Sequence, residues 1–284
     1  MPLTKLEKKK LGSRTAKGGF SNEGMICKKF NNWKRDINTQ VWLKTMGYDL
    51  EKINSVLAIR IPTRIKKDEI EKFNISETEY YDFVRFKKAD AQVRIIITIG
   101  NIIKIENISL KKANKDANYN QIDKRSVDSY QEMWKFDDEI SLWLKLFTGE
   151  ILPRKYKYLI GKIKLRDKRK VYMDEMPLRI QQKILSFFNE NRIIVLTDIL
   201  KGRGGLSANW ILVSRYNRIK KTRSWILKDI NTTMNFYGKG DVVLSSKGNL
   251  YIGKITMQRK GGTPDPTKLQ FKFKPCELFE IEND

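Results

Sequence analysis

Residues 90–111 have the sequence DAQVRIIITIGNIIKIENISLK, which predicts a β-hairpin with polar groups at its open end. The runs 93–99 and 102–110 are rich in β-branched residues, and Gly100-Asn101 between them suits a tight primed turn. Antiparallel pairing of two such strands brings the residue before the first strand close to the end of the second. We therefore expect Asp90 to lie beside Ser109 and Lys111.

The alternation of side chains along a strand sharpens this expectation. Asn107, Ser109 and Lys111 are two residues apart and are predicted to share one face, whereas Lys112 points to the other. A carboxylate, a hydroxyl and an amine then converge at one place. In a basic chain, this set points to metal-dependent hydrolysis of phosphodiesters.

The counts of histidine and cysteine exclude several other classes of site. The chain has no histidine, which rules out Ser-His-Asp hydrolysis, histidine-based nucleases and zinc sites with histidine ligands. Cys27 and Cys276 are too few for a disulfide framework, and we expect both to be reduced thiols. The start MPLTKLEKKK lacks the apolar core of a signal peptide, and no run approaches the ~20 apolar residues of a membrane span. The expected location is cytoplasmic.

The charge of the chain indicates a polyanionic partner. Lys and Arg number 57 against 33 Asp and Glu, a formal net charge of +24 over 284 residues. Such a surplus attracts nucleic acid at long range. Residues 154–170 form the densest basic stretch, which either follows a phosphate backbone or is a solvated loop. An RNA-binding protein would need only this charge, so it stays open as an alternative.

Periodicity predicts an α/β protein of two tightly packed lobes. Helices are predicted over Phe20–Met46, over an apolar stripe from Tyr130 to Leu146, and over Pro177–Asn191; a strand is predicted over Arg192–Leu200. Short strands dominate the rest of the second half, with a hairpin around Gly261-Gly262. We place the lobe boundary near residue 150, giving lobes at 1–150 and 151–284.

The chain resembles the small monomeric type II restriction endonucleases that cut GCGC and related four-base sites, within the PD-(D/E)XK nuclease superfamily. No single motif is persuasive, but several stretches follow one another in the same order along most of the chain. They are Leu11–Lys17, Gly19–Glu23, Trp42–Gly47, Asn120–Lys124, Tyr130–Asp138, Thr197–Gly204, Gln258–Gly262 and Leu269–Lys272. The resemblance implies a restriction-endonuclease-like mixed β-sheet flanked by helices in residues 1–150, and a β-rich DNA-recognition lobe in 151–284.

The resemblance also implies roles for the hairpin residues. Asp90 and Lys111 match the catalytic aspartate and lysine, while Ser109 stands where the superfamily usually has a carboxylate or an amide. The expected cofactor is Mg²⁺, held by Asp90, Ser109 and the backbone carbonyl of Leu110, because Mg²⁺ takes about six oxygen ligands including water. Glu23 either approaches this metal site or only complements the start of its helix; the two alternatives are equally favoured.

Duplex DNA is the expected partner, and arginine and lysine are the commonest readers of guanine. The candidates for DNA contact are Asn120, Gln121, Lys124, Asp198, Lys201, Arg203, Gln258, Arg259 and Lys260. Each of the basic residues among them could instead only position a phosphate. Asp198 or Asn120 could pair with cytosine or adenine edges.

The expected enzyme is a monomer or weak dimer that cuts a short GC-rich site, with a companion DNA methyltransferase that is not a binding partner. A structure-specific repair nuclease and a catalytically weakened DNA-binding relative, which Ser109 keeps open, are the alternatives.

Overall fold

The computed structural model describes residues 22–97, 102–113, 119–161, 163–217, 219–260 and 267–283. The turn Gly100-Asn101, the stretch Leu11–Lys17, the predicted helix start at Phe20 and the turn Gly261-Gly262 lie outside these ranges. The strands are β1 (Ile53–Arg60), β2 (Ala91–Ile97), β3 (Ile102–Ala113), β4 (Asn120–Arg125), β5 (Trp210–Asn217), β6 (Thr222–Asp229), β7 (Val242–Leu244), β8 (Leu250–Ile252), β9 (Ile255–Arg259) and β10 (Leu269–Phe273). The helices are α1 (residues 22–31), α2 (Ile37–Thr45), α3 (Glu77–Phe83), α4 (Val127–Trp134), α5 (Asp138–Thr148), α6 (Lys157–Ile160), α7 (Leu178–Glu190), α8 (Arg192–Leu196) and α9 (Ile230–Gly238).

The first sheet is mixed and has the strand order β1-β2-β3-β5-β6. β3 pairs with β5 in parallel, and the other three pairs are antiparallel. One core cluster joins Ile26 and Phe30 of α1 to Leu43 of α2 and to Val93 and Ile108 of the sheet. A mixed sheet flanked by helices is the predicted fold class, which is confirmed.

The predicted helices over 20–46 and 130–146 are each two helices. Asp36 is extended and its carboxylate accepts the N–H of Thr39 at 3.0 Å, so it begins a new helix in the middle of the first segment. Asp137 does the same through the N–H of Ile140 at 2.9 Å, after Lys135 has ended α4 with a φ of 58°. Capping aspartates inside an apolar periodic run explain both corrections.

The predicted strand Arg192–Leu200 is wrong. Residues 192–196 form α8, and a π-helical turn, Thr197–Lys201, follows. Val195 and Ile199 are fully buried and four residues apart, while Ile193 is 80% exposed, which is a helical pattern of burial. The β-branched composition of this segment favours a strand, but packing against one face overrides that preference.

The second sheet has the order β4-β10-β9-β8-β7 and is supported by the antiparallel pairs β7–β8, β8–β9 and β9–β10. The last pair is the predicted hairpin around residues 261–262. Phe271 and Phe273 of β10 are fully buried.

The chain folds into two compact units that draw on alternating segments. Of the described residues, one unit, which we call the hairpin unit, comprises those within 22–120, 200–234 and 274–283; the other, the insertion unit, comprises those within 121–199 and 235–273. β5 and β6, from the second half of the chain, complete the sheet of the hairpin unit. The predicted catalytic and recognition roles of 1–150 and 151–284 stay predictions. No helix among the described residues is long and apolar enough to cross a membrane.

Candidate active site

Asp90 is fixed where three strands meet. Its backbone N–H donates to the carbonyl of Ile108 in β3 at 2.9 Å, and its own carbonyl accepts the N–H of Ile61, just after β1, at 3.1 Å. The preceding residue is also anchored, because the N–H of Ala89 donates to the carbonyl of Leu206 at 3.2 Å. Backbone hydrogen bonds on both sides of Asp90 therefore fix its position independently of its side chain.

The carboxylate of Asp90 completes the edge of the hairpin. Pairing between β2 and β3 ends at Ala91 and Ile108. Beyond the last pair, the N–H of Leu110 in β3 donates to Oδ2 of Asp90 at 2.6 Å. The hydroxyl of Ser109 lies 3.4 Å from the same oxygen. A buried N–H needs a partner, so this bond favours a single orientation of the carboxylate.

Lys111 joins this group from the end of β3. Its ammonium donates to Oγ of Ser109 at 2.9 Å and to the carbonyl of Leu110 at 3.3 Å, and it lies 3.6 Å from Oδ2 of Asp90. Its side chain is 18% exposed and that of Asp90 is 33% exposed, so solvent reaches the carboxylate. The structure thus brings together the three side chains that the sequence predicted to converge.

Glu23 in α1 faces the same region. Its Oε2 lies 3.5 Å from Nε of Arg60, at the end of β1, and its side chain is 16% exposed. Burial raises the pKa of this carboxyl, and the negative charge of Asp90 raises it further, while Arg60 and Lys111 act in the opposite direction. Glu23 is therefore close enough to Asp90 for the charge of one to affect the pKa of the other.

Lys87 is a residue of this site that sequence reasoning missed. Burial lowers the pKa of its ammonium, and the charges of Asp90 and Glu23 oppose that shift. It is one of two consecutive lysines before Ala89 and Asp90, and no periodicity in that loop shows which of them faces the acids.

A buried amide pair supports the hairpin behind the site. Nε2 of Gln92 donates to Oδ1 of Asn107 at 3.3 Å, and Nδ2 of Asn107 donates to the carbonyl of Gly205 at 2.7 Å. The two amides are 1% and 5% exposed. They tie β2 and β3 to the loop of residues 202–206, whose Leu206 carbonyl in turn holds Ala89.

The donor set suits a hard divalent cation that keeps several waters. Oδ2 of Asp90 is engaged by Leu110, Ser109 and Lys111, so its Oδ1 is the oxygen that can face a cation. Glu23 offers a second carboxylate, and Ser109 offers a neutral oxygen. Such oxygens are the ligands that Mg²⁺ takes, and a cation would relieve the repulsion between the two acids. Within the described ranges, no three acidic, cysteine or histidine side chains are grouped closely enough to form an all-protein cage. The Leu110 carbonyl, predicted as a further ligand, accepts from Lys111 at 3.3 Å, and its second lone pair leaves that prediction open.

Three of the predicted DNA contacts lie in the hairpin unit. Nδ2 of Asn120 donates to the carbonyl of Lys112 at 2.8 Å. Lys201 and Arg203 flank Gly202, which has a φ of +79°, and a Cβ there would collide with the carbonyl oxygen of Phe86. The guanidinium of Arg203 stacks 4.7 Å from the ring centroid of Phe86. Arg203 therefore borders the chain that enters Asp90.

The remaining predicted contacts lie in the insertion unit. Gln121 accepts from Gln270 at 2.8 Å, and Lys124 is exposed. Burial, followed by the charges of Lys124 and Lys272, lowers the pKa of Lys260. The structure thus groups several lysines near the end of β9.

Arg259 ends β9 beside Gln258, and both are partly buried. The guanidinium of Arg259 lies close to the backbone of Gly149, the residue that ends α5. Burial and the charge of Arg169 lower its pKa. Its fork is therefore held against a rigid element.

Asp198 differs from the other predicted DNA contacts because it is buried. It is 1% exposed, and its Oδ2 accepts the indole N–H of Trp134 at 2.9 Å. A base edge cannot reach this carboxylate, which instead satisfies the buried indole. The prediction that Asp198 pairs with a base is corrected.

A sequence model of the R.HinP1I restriction endonuclease family matches residues 82–279, a range that contains Asp90, Ser109 and Lys111. No curated protein matches the chain. Among solved structures, the chain is similar to the crystal structure of restriction endonuclease MspI in complex with its cognate DNA, with a TM-score of 0.56 and 11% identity. The similarity covers 88% of this chain and 87% of that chain. At this identity, the likeness to MspI shows the fold.

Proposed function

Because this chain belongs to the R.HinP1I restriction endonuclease family, we propose that it cuts duplex DNA at a short GC-rich site, GCGC or related, with Mg²⁺ as its cofactor. It is a type II site-specific endonuclease. The observation that carries the proposal is the convergence of Asp90, Ser109 and Lys111 at the end of β3. We assign this group to the PD-(D/E)XK superfamily, with serine in the middle position.

In this proposal Asp90, Ser109 and the backbone carbonyl of Leu110 hold the cation, and Glu23 approaches it from α1. When bound, Mg²⁺ neutralises charge on the scissile phosphate and lowers the pKa of attacking water. Asp90 is oriented by the N–H of Leu110, so its other oxygen is available to a ligand. The bond between Ser109 and Lys111 keeps the serine oxygen and the ammonium side by side.

Lys111 has the role of stabilising negative charge. Its ammonium is fixed by Ser109 and by the carbonyl of Leu110, and it points to the same place as the Asp90 carboxylate. A fixed cation costs no reorganisation when charge develops on a phosphate oxygen, which is how such groups accelerate hydrolysis. The same ammonium can orient the attacking water.

The preference for a GC-rich site rests on the kind of side chain that is available. Arginine and lysine match the two major-groove acceptors of guanine, and Arg203, Arg259 and Lys260 are the proposed readers. Arg203 and Arg259 are each held against a neighbouring ring or backbone, which gives their forks a fixed direction. Asn120, Gln121, Lys124, Lys201 and Gln258 complete the proposed DNA contacts.

Digestion of a plasmid of known sequence tests this proposal. The purified chain should yield discrete fragments in Mg²⁺ and none in EDTA, and sequencing of the ends should show one common GC-rich site. Asp90→Asn is the control, because it keeps the size of the side chain and removes its charge. Cuts that cluster at branched or damaged DNA would indicate a structure-specific nuclease instead.

We further propose that the enzyme acts as a monomer or weak dimer and that a companion DNA methyltransferase protects the host sites. Analytical ultracentrifugation with and without a cognate duplex tests the first point. Protection of the plasmid by prior methylation of the cut site tests the second.

A further inference from the structure

The insertion unit contains an open cavity of about 480 Å³ that has no part in the proposed chemistry. Three segments form its walls: the loop of residues 166–172, the turn of residues 245–249 between β7 and β8, and the end of β9. Its lining is basic and polar and includes Arg166, Lys170, Tyr172, Lys247, Gln258 and Arg259.

Backbone contacts fix these walls to one another. The N–H of Met173 donates to the carbonyl of Gly248 at 3.2 Å, which joins the loop to the turn. The N–H of Val171 donates to the carbonyl of Leu146 in α5 at 3.0 Å. Gly248 has a φ of +68°, and a Cβ there would come within 2.8 Å of Cβ of Tyr172. Close packing of the loop against the turn therefore fixes the shape of the cavity.

Tyr172 holds two cations at the cavity. The ammonium of Lys170 lies 3.8 Å from the centroid of its ring, and the guanidinium carbon of Arg166 lies 4.2 Å from it. Arg166 is paired with Asp174 and with Glu175, the latter at 3.0 Å. The aromatic ring and these carboxylates position the cations within the loop.

Positive charge nevertheless exceeds negative charge around Lys170. Burial lowers the pKa of Lys170 to about 8, and the charge of Arg259 adds to this effect. The carboxylates of Asp167 and Glu175 act in the opposite direction but are engaged with Arg169 and Arg166. An anion bound at Lys170 would offset this repulsion.

We infer that this cavity binds one phosphate group of the duplex DNA backbone, with Lys170 as the central contact and Lys247 beside it, while Arg259 borders the cavity and keeps its proposed role as a base reader. The inference rests on the proposed function, because it assumes a DNA substrate. The cavity is open, so a phosphate can enter it while its sugars stay outside. The amides of Gln258 and Asn249 line the same space and supply neutral donors to phosphate oxygens.

Duplex binding as a function of salt tests the inference. Binding of a cognate and a scrambled duplex is measured in EDTA by fluorescence anisotropy at several salt concentrations, with the wild type, Lys170→Gln and Lys239→Gln. Lys239 is exposed, lies in the same unit and does not line the cavity. Lys239→Gln therefore removes the same charge without changing the cavity. Lys170→Gln should weaken binding to both duplexes alike and reduce the slope of log K against log salt by about 0.9, the contribution of one phosphate. Lys239→Gln should leave the slope unchanged.

Further variants separate folding from binding. Lys170→Arg keeps the charge and should restore the slope, and Lys247→Gln, on an exposed turn, should reduce the slope even if Lys170→Gln does not fold. A Lys170→Gln protein that folds, cuts DNA and keeps the wild-type slope would overturn the inference while leaving the proposed function intact. A wild type that fails to cut the plasmid would instead refute the proposed function.

The source of the phosphate is distinguished by titrating inorganic phosphate against the same proteins by calorimetry. Wild-type binding of free phosphate that Lys170→Gln abolishes, together with an unchanged duplex slope, would assign the cavity to a free anion and overturn the assignment to DNA.

Discussion

Replacing Lys111 with glutamine removes the charge at the end of β3 but keeps a hydrogen-bond donor for Ser109. The ammonium lies 3.6 Å from Asp90, a distance at which two unit charges attract by about 5 kcal/mol in an effective dielectric of ~20. Solvent reduces this value, because one third of the Asp90 side chain is exposed. Loss of one preorganised donor typically costs ~3 kcal/mol in the transition state, so we expect kcat to fall by about 10²-fold.

The assay is single-turnover cleavage of a cognate duplex in Mg²⁺, with binding measured separately in EDTA. Lys112→Gln is the matched control, since it removes the same charge from the next residue, which is exposed. Cleavage by Lys112→Gln should stay within about twofold of wild type, and binding by Lys111→Gln within about tenfold, ~1.4 kcal/mol. Equal losses for the two variants, or normal cleavage by Lys111→Gln, would refute the reasoning from strand register.

Three further predictions concern Ser109, Glu23 and Arg259. Ser109→Ala should reduce the single-turnover rate less than Lys111→Gln, because it removes a neutral oxygen and leaves Asp90 bound to the N–H of Leu110; a larger loss would make the hydroxyl the dominant group. Glu23→Gln should stabilise the metal-free protein, because a raised carboxyl pKa means that ionisation costs stability as pH rises from its unfolded value near 4.5. Urea unfolding in EDTA at pH 4 and pH 7 should show that gain only at pH 7, and a gain at pH 4 would contradict the electrostatic cause. Arg259→Ala should cost ~1–3 kcal/mol on the cognate duplex and little on a scrambled one; equal losses on both would make it a phosphate contact.

The hairpin and its polar end could be predicted from the sequence because both depend on a period of two residues. Strand alternation placed Ser109 and Lys111 on one face, and antiparallel pairing brought Asp90 to them. The family resemblance to restriction endonucleases was confirmed by the family match over residues 82–279. The GCGC specificity stays a prediction.

The sequence predictions failed at residues whose conformation or partners depend on tertiary contacts. Composition favoured a strand over 192–200, whereas burial of Val195 and Ile199 on one face makes it helical. Asp198 sits in that segment and is bound to Trp134, a partner 64 residues away that no local pattern shows. Lys87 lies in a loop without periodicity, so only the folded chain shows that it faces the acids.

The two neighbours of β3 differ greatly in their distance along the chain, and this has a consequence for the order of folding. Ile108 pairs with Ala91, 17 residues earlier, and with Trp210, 102 residues later. Closing the longer loop costs roughly 1.5 kcal/mol more in chain entropy. The hydrogen bonds that join Asp90 and Lys111 to residues 109 and 110 need only the shorter loop, so they should form while the parallel half of the sheet is still open. The bond from Ala89 to Leu206 should follow. Pulsed hydrogen exchange during refolding should then protect the amides shared by β2 and β3 before those shared by β3 and β5, and simultaneous protection would show that the hairpin is not stable alone.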